Sequence, residues 1–158
     1  MFLFRNPTAR QLSIALAALR VTVGTIFIAH GAQKLFTYGF AGVTGAFTQM
    51  GIPFPGVMGP FIALLEFFGG IALVIGLLTR LASLGLVFNM IGAIAFVHLK
   101  GGFFLPSGYE YALTLLGASL ALVVAGAGEF SIDALFNRSD KMLASRNAPA
   151  LETKRRAA

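Results

Sequence analysis

The sequence predicts an all-α fold, a bundle of four transmembrane helices, and three observations carry that prediction. Only 11% of the 158 residues are charged, whereas a soluble domain usually carries about 25%, and the mean hydropathy is +0.83. Four apolar stretches, 12–35, 57–78, 81–99 and 109–127, approach or reach the roughly 20 residues a helix needs to cross a hydrocarbon core about 30 Å thick. Barrel strands would be about 10 residues long with alternating polarity, and no such pattern occurs.

The first stretch follows Arg5 and Arg10, which imitate the basic region of a signal peptide. Its length and its interior Arg20 mark a retained helix instead. The connection after it, 36–56, contains a short apolar piece at 41–50 between Gly and Pro punctuation. That piece is too short to cross, so an interfacial or re-entrant helix is expected there. Pro53, Pro55 and Pro60 then turn the chain into the second span. LLTRL at 77–81 is so short that spans 2 and 3 must be antiparallel neighbours, and KGGFFLPSG leads into the fourth span. Spans 1 and 3 each end in a histidine followed by a lysine, His30 with Lys34 and His98 with Lys100, a thin hint of a duplicated hairpin.

The net charge of +6 reads as a topology signal. Arg5, Arg10 and Arg80 fall on one side with the tail residues Arg138, Lys141, Arg146, Lys154, Arg155 and Arg156; Lys34 and Lys100 fall on the other. The positive-inside rule then puts both termini in the cytoplasm. The expected organisation is a membrane domain over 1–136 and a basic, disordered cytoplasmic tail over 137–158, suited to anionic lipid headgroups. The basic charge sits at helix ends, which argues against nucleic-acid binding. No cysteine occurs, so thiolate metal sites, Cys-ligated iron–sulfur clusters and thiol redox chemistry by this chain are excluded.

Ionisable groups inside a membrane are expensive and face the bundle interior. At 100° per residue Arg20, Phe27, Lys34 and His30 fall within about 80° of one another on span 1. Glu66 shares a stripe of span 2 with Gly70, and the small residues at 69 and 70 allow close helix approach. Asn89 lines up with Gly85, Gly92 and Phe96 on span 3. With a rise of about 1.5 Å per residue, Glu66 and Asn89 lie roughly 13–15 Å below the outer boundary, Arg20 deeper still, and His30 about 6 Å down. The expected site is therefore an outward-facing polar cavity lined by His30, Lys34, Glu66, Asn89 and Arg20. His98 does not fit it, because an ideal helix sets it about 180° from Asn89.

Each group also has a purely structural reading. Arg20 and Glu66 can neutralise one another, Asn89 can tie helices together, and Lys34, Lys100 and Glu110 can anchor the interface.

The motifs LRVTVGTIFIAHGAQKLF, GIPFP, LEFFGGIALVIGLLTRLA, NMIGAIAFVH and GYEYALTLLGASLALVVAGAGEFSID together resemble the DoxX family of membrane proteins. The resemblance implies a four-helix, multi-pass protein of the inner membrane. It also implies several roles: a subunit of a thiosulfate:quinone oxidoreductase, a member of an oxidant-defence assembly, or, in distant eukaryotic relatives, a cargo receptor or chaperone.

Three functions compete on these grounds. The chain is the membrane subunit of a quinone-linked oxidoreductase, with His30, Lys34, Glu66, Asn89 and Arg20 around a quinone and a partner protein supplying electrons. Alternatively it is a non-enzymatic scaffold, chaperone or small-solute permease. The least favoured option is a haem held by His30 and His98. The lipid bilayer is the constant partner in all three, and a homo-oligomer is compatible with each.

Overall fold

The computed structural model describes residues 6–136; Arg5 and the basic tail expected over 137–158 lie outside the described residues. Helix α1 (Ala9–Ala32) begins at a reciprocal cap, in which Thr8 Oγ1 accepts from the Gln11 backbone and the Gln11 side chain accepts from the Thr8 backbone. The helical path continues through a π-helical turn, Gln33–Tyr38, bends at Gly39 (φ 64°), and runs on as α2, Gly39–Gln49. The short helix expected over 41–50 is thus a bent extension of the first span. It lies over the start of α3, where the backbone of Thr44 approaches Gly59.

Helix α3 (Pro55–Ile75) opens with Pro55 at its first position and carries Pro60 inside, which removes one helical hydrogen bond. It ends at Gly76 (φ 71°), with Leu77 N donating to Ala72 O at 2.9 Å and Gly76 N to Leu73 O at 3.2 Å. That left-handed stop is why LLTRL makes so tight a turn. Helix α4 (Thr79–Gly92) continues into a second π-helical turn, Ala93–His98, and a short 3-10 segment, Leu99–Gly101. Helix α5 (Glu110–Ala125) is the shortest span, stopped by Gly126 at φ 79°.

The four long helices form a closed ring in the order α1, α3, α4, α5, each antiparallel to both neighbours. The core between them is apolar: Val23, Phe27, Leu73, Leu86, Met90 and Leu122 are among its members. The outer surfaces are also rich in exposed Phe, Leu and Ile, the pattern of a bundle whose solvent is lipid. Three helical segments are long and apolar enough to cross a membrane, and α5 is a shorter apolar helix beside them. The described residues therefore form a four-helix membrane bundle.

The α1–α3 seam is the closest approach in the ring. A methyl group added to Gly24 would stand 2.7 Å from Gly70 O, and one added to Gly31 would run into the backbone of Phe67. Only hydrogen at these positions lets the two backbones come together.

Both described ends of the chain lie at one end of the bundle, here called the inner end. Glu129 N donates to Ser13 Oγ at 3.4 Å, and Asp133 caps α4 by accepting from Leu78 N at 2.7 Å and Thr79 N at 2.9 Å.

Candidate ligand site

The outer half of the bundle holds a cavity of about 680 Å³ bordered by all four spanning helices and the 47–54 connection. Its wall is overwhelmingly apolar and aromatic, with contributions from Phe27, Phe61, Phe88 and Phe96. The polar cavity expected from the sequence is thus an apolar chamber with a small polar floor.

That floor is built on Glu66. Its side chain is 6% exposed and pairs through Oε2 with Lys34 Nζ, while Oε1 accepts from Asn89 Nδ2 at 2.9 Å. Three helical segments therefore meet on one carboxylate: the π turn after α1, the middle of α3, and α4. Each local feature has a sequence cause. Gly24, Gly31 and Gly70 draw α1 against α3, and Phe36 stacks edge-on against Phe67 at 5.7 Å, fixing the turn that carries Lys34. Gly69 faces Leu86 at a distance an added methyl group would tolerate, so α4 packs on the other flank of α3.

The arrangement leaves hydrogen-bonding capacity beside the chamber. An ammonium has three donors and a carboxamide two donors and an acceptor. Lys34 and Asn89 each use one donor on Glu66. The remaining donors, and Asn89 Oδ1, are the groups that a carbonyl or hydroxyl of an apolar ligand can address.

Of the five residues expected at the site, Lys34, Glu66 and Asn89 come together. His30 borders the same cavity, and its ring lies 6.1 Å from that of Tyr111, tilted by 52°. Arg20 does not join them. Its buried guanidinium lies at the inner end, where Nη1 donates to Leu73 O at 2.9 Å and Nη2 to Phe130 O. Fourteen residues of helix separate it from Lys34, a drop of about 21 Å along the axis. The contemplated Arg20–Glu66 pair does not form: Lys34 holds the carboxylate, and Arg20 directs Nη1 and Nη2 to backbone carbonyls at the other end of the bundle.

His98 is where an ideal helix could not put it. The π turn Ala93–His98 adds one residue to its loop of chain, which rotates the later residues by about 100°. His98 consequently borders the cavity, with Nδ1 3.4 Å from Ser107 O. Tyr111, beside His30, is a cavity residue absent from the set expected from the sequence.

Comparison with known proteins adds the lineage. The family model described as DoxX matches residues 15–99, more than half of the chain. The chain belongs to the DoxX family. All five expected site residues fall inside the matched segment, whereas α5 lies beyond it. Among relatives of this DoxX protein, "Putative oxidoreductase CatD" of Bacillus subtilis is 35% identical over 114 residues, covering 72% of this chain and 81% of that protein. "Inner membrane protein YqjF" of Escherichia coli is 32% identical over 126 residues, covering 79% of this chain and 94% of that protein. A Haemophilus influenzae protein of unassigned role is 36% identical over 125 residues, covering 77% and 90% respectively. No solved structure matches the chain at a comparable level of significance. Helices and family together make this DoxX chain a multi-pass membrane protein.

Proposed function

We propose that this DoxX chain is the inner-membrane subunit of a quinone-linked oxidoreductase, seating a quinone ring in the outer chamber above Lys34, Glu66 and Asn89. One observation carries the reading: a buried carboxylate, tied to an ammonium and a carboxamide with donors to spare, forms the floor of an otherwise apolar chamber. A relative named as an oxidoreductase and another named as an inner membrane protein support the setting.

A bound quinone supplies the electron-accepting chemistry and takes up protons with the electrons. The side chains of this chain hold and orient it. Spare donors on Lys34 Nζ and Asn89 Nδ2 meet a ring carbonyl, and Glu66 holds both donors in place. Lys34 Nζ and Glu66 Oε2 are the titratable atoms next to the ring. The aromatic wall keeps water from the remainder of the ring and fits its apolar faces. The electrons come from a partner protein, and both termini face the cytoplasm in the orientation that the basic residues favour.

The test is extraction of the protein with its native lipids, followed by mass-spectrometric quantification of bound quinone. Wild type is expected to retain quinone, and Glu66→Gln and Asn89→Ala to lose about tenfold in retention. A non-enzymatic carrier or scaffold is the second reading, favoured by how apolar the chamber wall is. Retention of some other lipophilic molecule in place of quinone would select it. A haem absorption band in the purified protein would overturn both in favour of His30 and His98 as ligands.

A further inference from the structure

The chamber is not sealed on its α3–α4 side. Leu65 and Gly85 touch there, since a methyl group added to Gly85 would stand 2.9 Å from Leu65 Cδ1. Two helical turns farther out, at Gly92, α4 has open space beside its backbone. A methyl group added to Gly92 would meet nothing within 4 Å, although Gly92 borders the chamber. Phe61 and Phe88, which also border it, are 53% and 66% exposed on the outside of the bundle. Residues that line the chamber beside Glu66 and Asn89 thus reach the surface on both helices, at Phe61 of α3 and Phe88 of α4. The Leu65–Gly85 contact lies on the inner side of these residues, and Ile52 and Phe54 of the connecting segment also line the chamber. On α4 the spacing fits this shape: Gly85 and Gly92 share the stripe of Asn89, and Phe88 lies beside them at three- and four-residue intervals.

We infer that the chamber opens between α3 and α4 as a lateral portal, and that the ligand is an amphipathic lipid with a single long apolar tail, its polar ring on Lys34, Glu66 and Asn89 and its tail leaving through this gap into the bilayer. The inference rests on the proposed ring-binding role and adds the ligand's shape and its route of entry. The surface at the gap faces hydrocarbon, so a tail passing through it loses no apolar contact. Glycine at position 92 keeps the passage open: a methyl group there would still meet nothing within 4 Å, whereas an aromatic side chain would occupy it.

The test uses the protein in lipid nanodiscs with two probes: a dimethoxy-methyl-benzoquinone without a side chain, and the same ring carrying a decyl chain. Wild type and Gly92→Ala are expected to bind both. Gly92→Phe is expected to bind the bare ring as wild type does but the tailed ring about tenfold more weakly. A second measurement avoids any change in packing at position 92. The chain contains no cysteine, so Phe61→Cys and Phe88→Cys can be bridged by a bismaleimide after folding. Bridging is expected to slow exchange of the tailed ring and not of the bare one. If wild type binds both probes and neither Gly92→Phe nor bridging separates them, the portal is wrong and the ring site survives. If wild type binds neither probe, the ring site itself falls, and the portal falls with it.

Discussion

Lys34 and Glu66 stand 32 positions apart in the chain and form an ion pair at the floor of the outer chamber. Asn89 holds the other carboxylate oxygen at 2.9 Å. The pair sits where the π turn after α1 meets the middle of α3, and it depends on the seam of glycines formed by Gly24, Gly31 and Gly70. The same contact therefore reports on packing and on the chemistry of the site.

Charge pairing at this depth has a testable asymmetry. Lys34→Met strands a carboxylate that is 6% exposed, and loss of one partner of a buried pair costs about 3 kcal/mol. Removing both charges together, with Lys34→Met and Glu66→Leu, is expected to recover most of that loss, because the unpaired charge is what costs. Unfolding of the single and double variants in detergent measures it. Equal destabilisation of the single and the double variant would contradict the pairing.

The seam predicts a second effect. Gly24→Val places carbon atoms where Gly70 O and Val74 Cγ2 already lie, at 2.7 Å and 2.8 Å from an added Cβ. Overpacking of this kind costs about 1–3 kcal/mol, and here the strain must push α1 from α3. The expected signature is a lowered unfolding midpoint together with weaker ring binding, since Lys34 moves away from Glu66. Gly117→Val on α5, where an added Cβ meets nothing within 4 Å, is expected to leave both unchanged.

Helical periodicity made part of this site legible from sequence. The Glu66–Gly70 stripe and the stripe of Gly85, Asn89, Gly92 and Phe96 follow from 100° steps, and the structure sets them facing the α1 seam and the chamber respectively. What periodicity does not contain is phase change and partner choice. The two π turns, Gln33–Tyr38 and Ala93–His98, reset the angular register at the outer ends of both outward-running spans. That reset is why His98 borders the chamber against expectation. Partner choice failed for Glu66 because the sequence offers two cations on one face of α1. Only depth separates them: the helical rise already set Arg20 deeper than the carboxylate. Asp133 was invisible as a capping residue, since its partners Leu78 and Thr79 lie more than 50 positions away.

Asp133 supports a third prediction. Leu78 occupies a left-handed conformation (φ 48°) just before α4, and the Asp133 carboxylate accepts from both Leu78 N and Thr79 N. Loss of a capping side chain costs about 1 kcal/mol, so Asp133→Ala is expected to lower the unfolding midpoint. Leu78→Gly removes the Cβ strain of the left-handed turn and should be neutral or stabilising, as Leu78 is 60% exposed and contributes little packing. Circular dichroism melts of both variants decide this. A stabilised Asp133→Ala would show that the carboxylate is not what holds the turn.

Arg20 separates architecture from function. It is 1% exposed and binds the carbonyls at the end of α3 and Phe130 O beyond α5, so it joins three segments at the inner end. Arg20→Met takes the side-chain donor from Val74 O and Phe130 O, while Leu73 O keeps Gly76 N, and each carbonyl left unsatisfied costs about 1–3 kcal/mol. Arg20→Lys is expected to be intermediate, because one ammonium lacks the planar fork that reaches carbonyls of two segments at once. Neither variant should change the affinity for a ring bound at Lys34, Glu66 and Asn89, as long as binding is measured below the lowered unfolding midpoint. Stability and affinity are thus expected to move independently at Arg20 and together at Gly24. Ring affinity that fell in Arg20→Lys without loss of stability would return the arginine to the site and require the two ends of the bundle to be coupled.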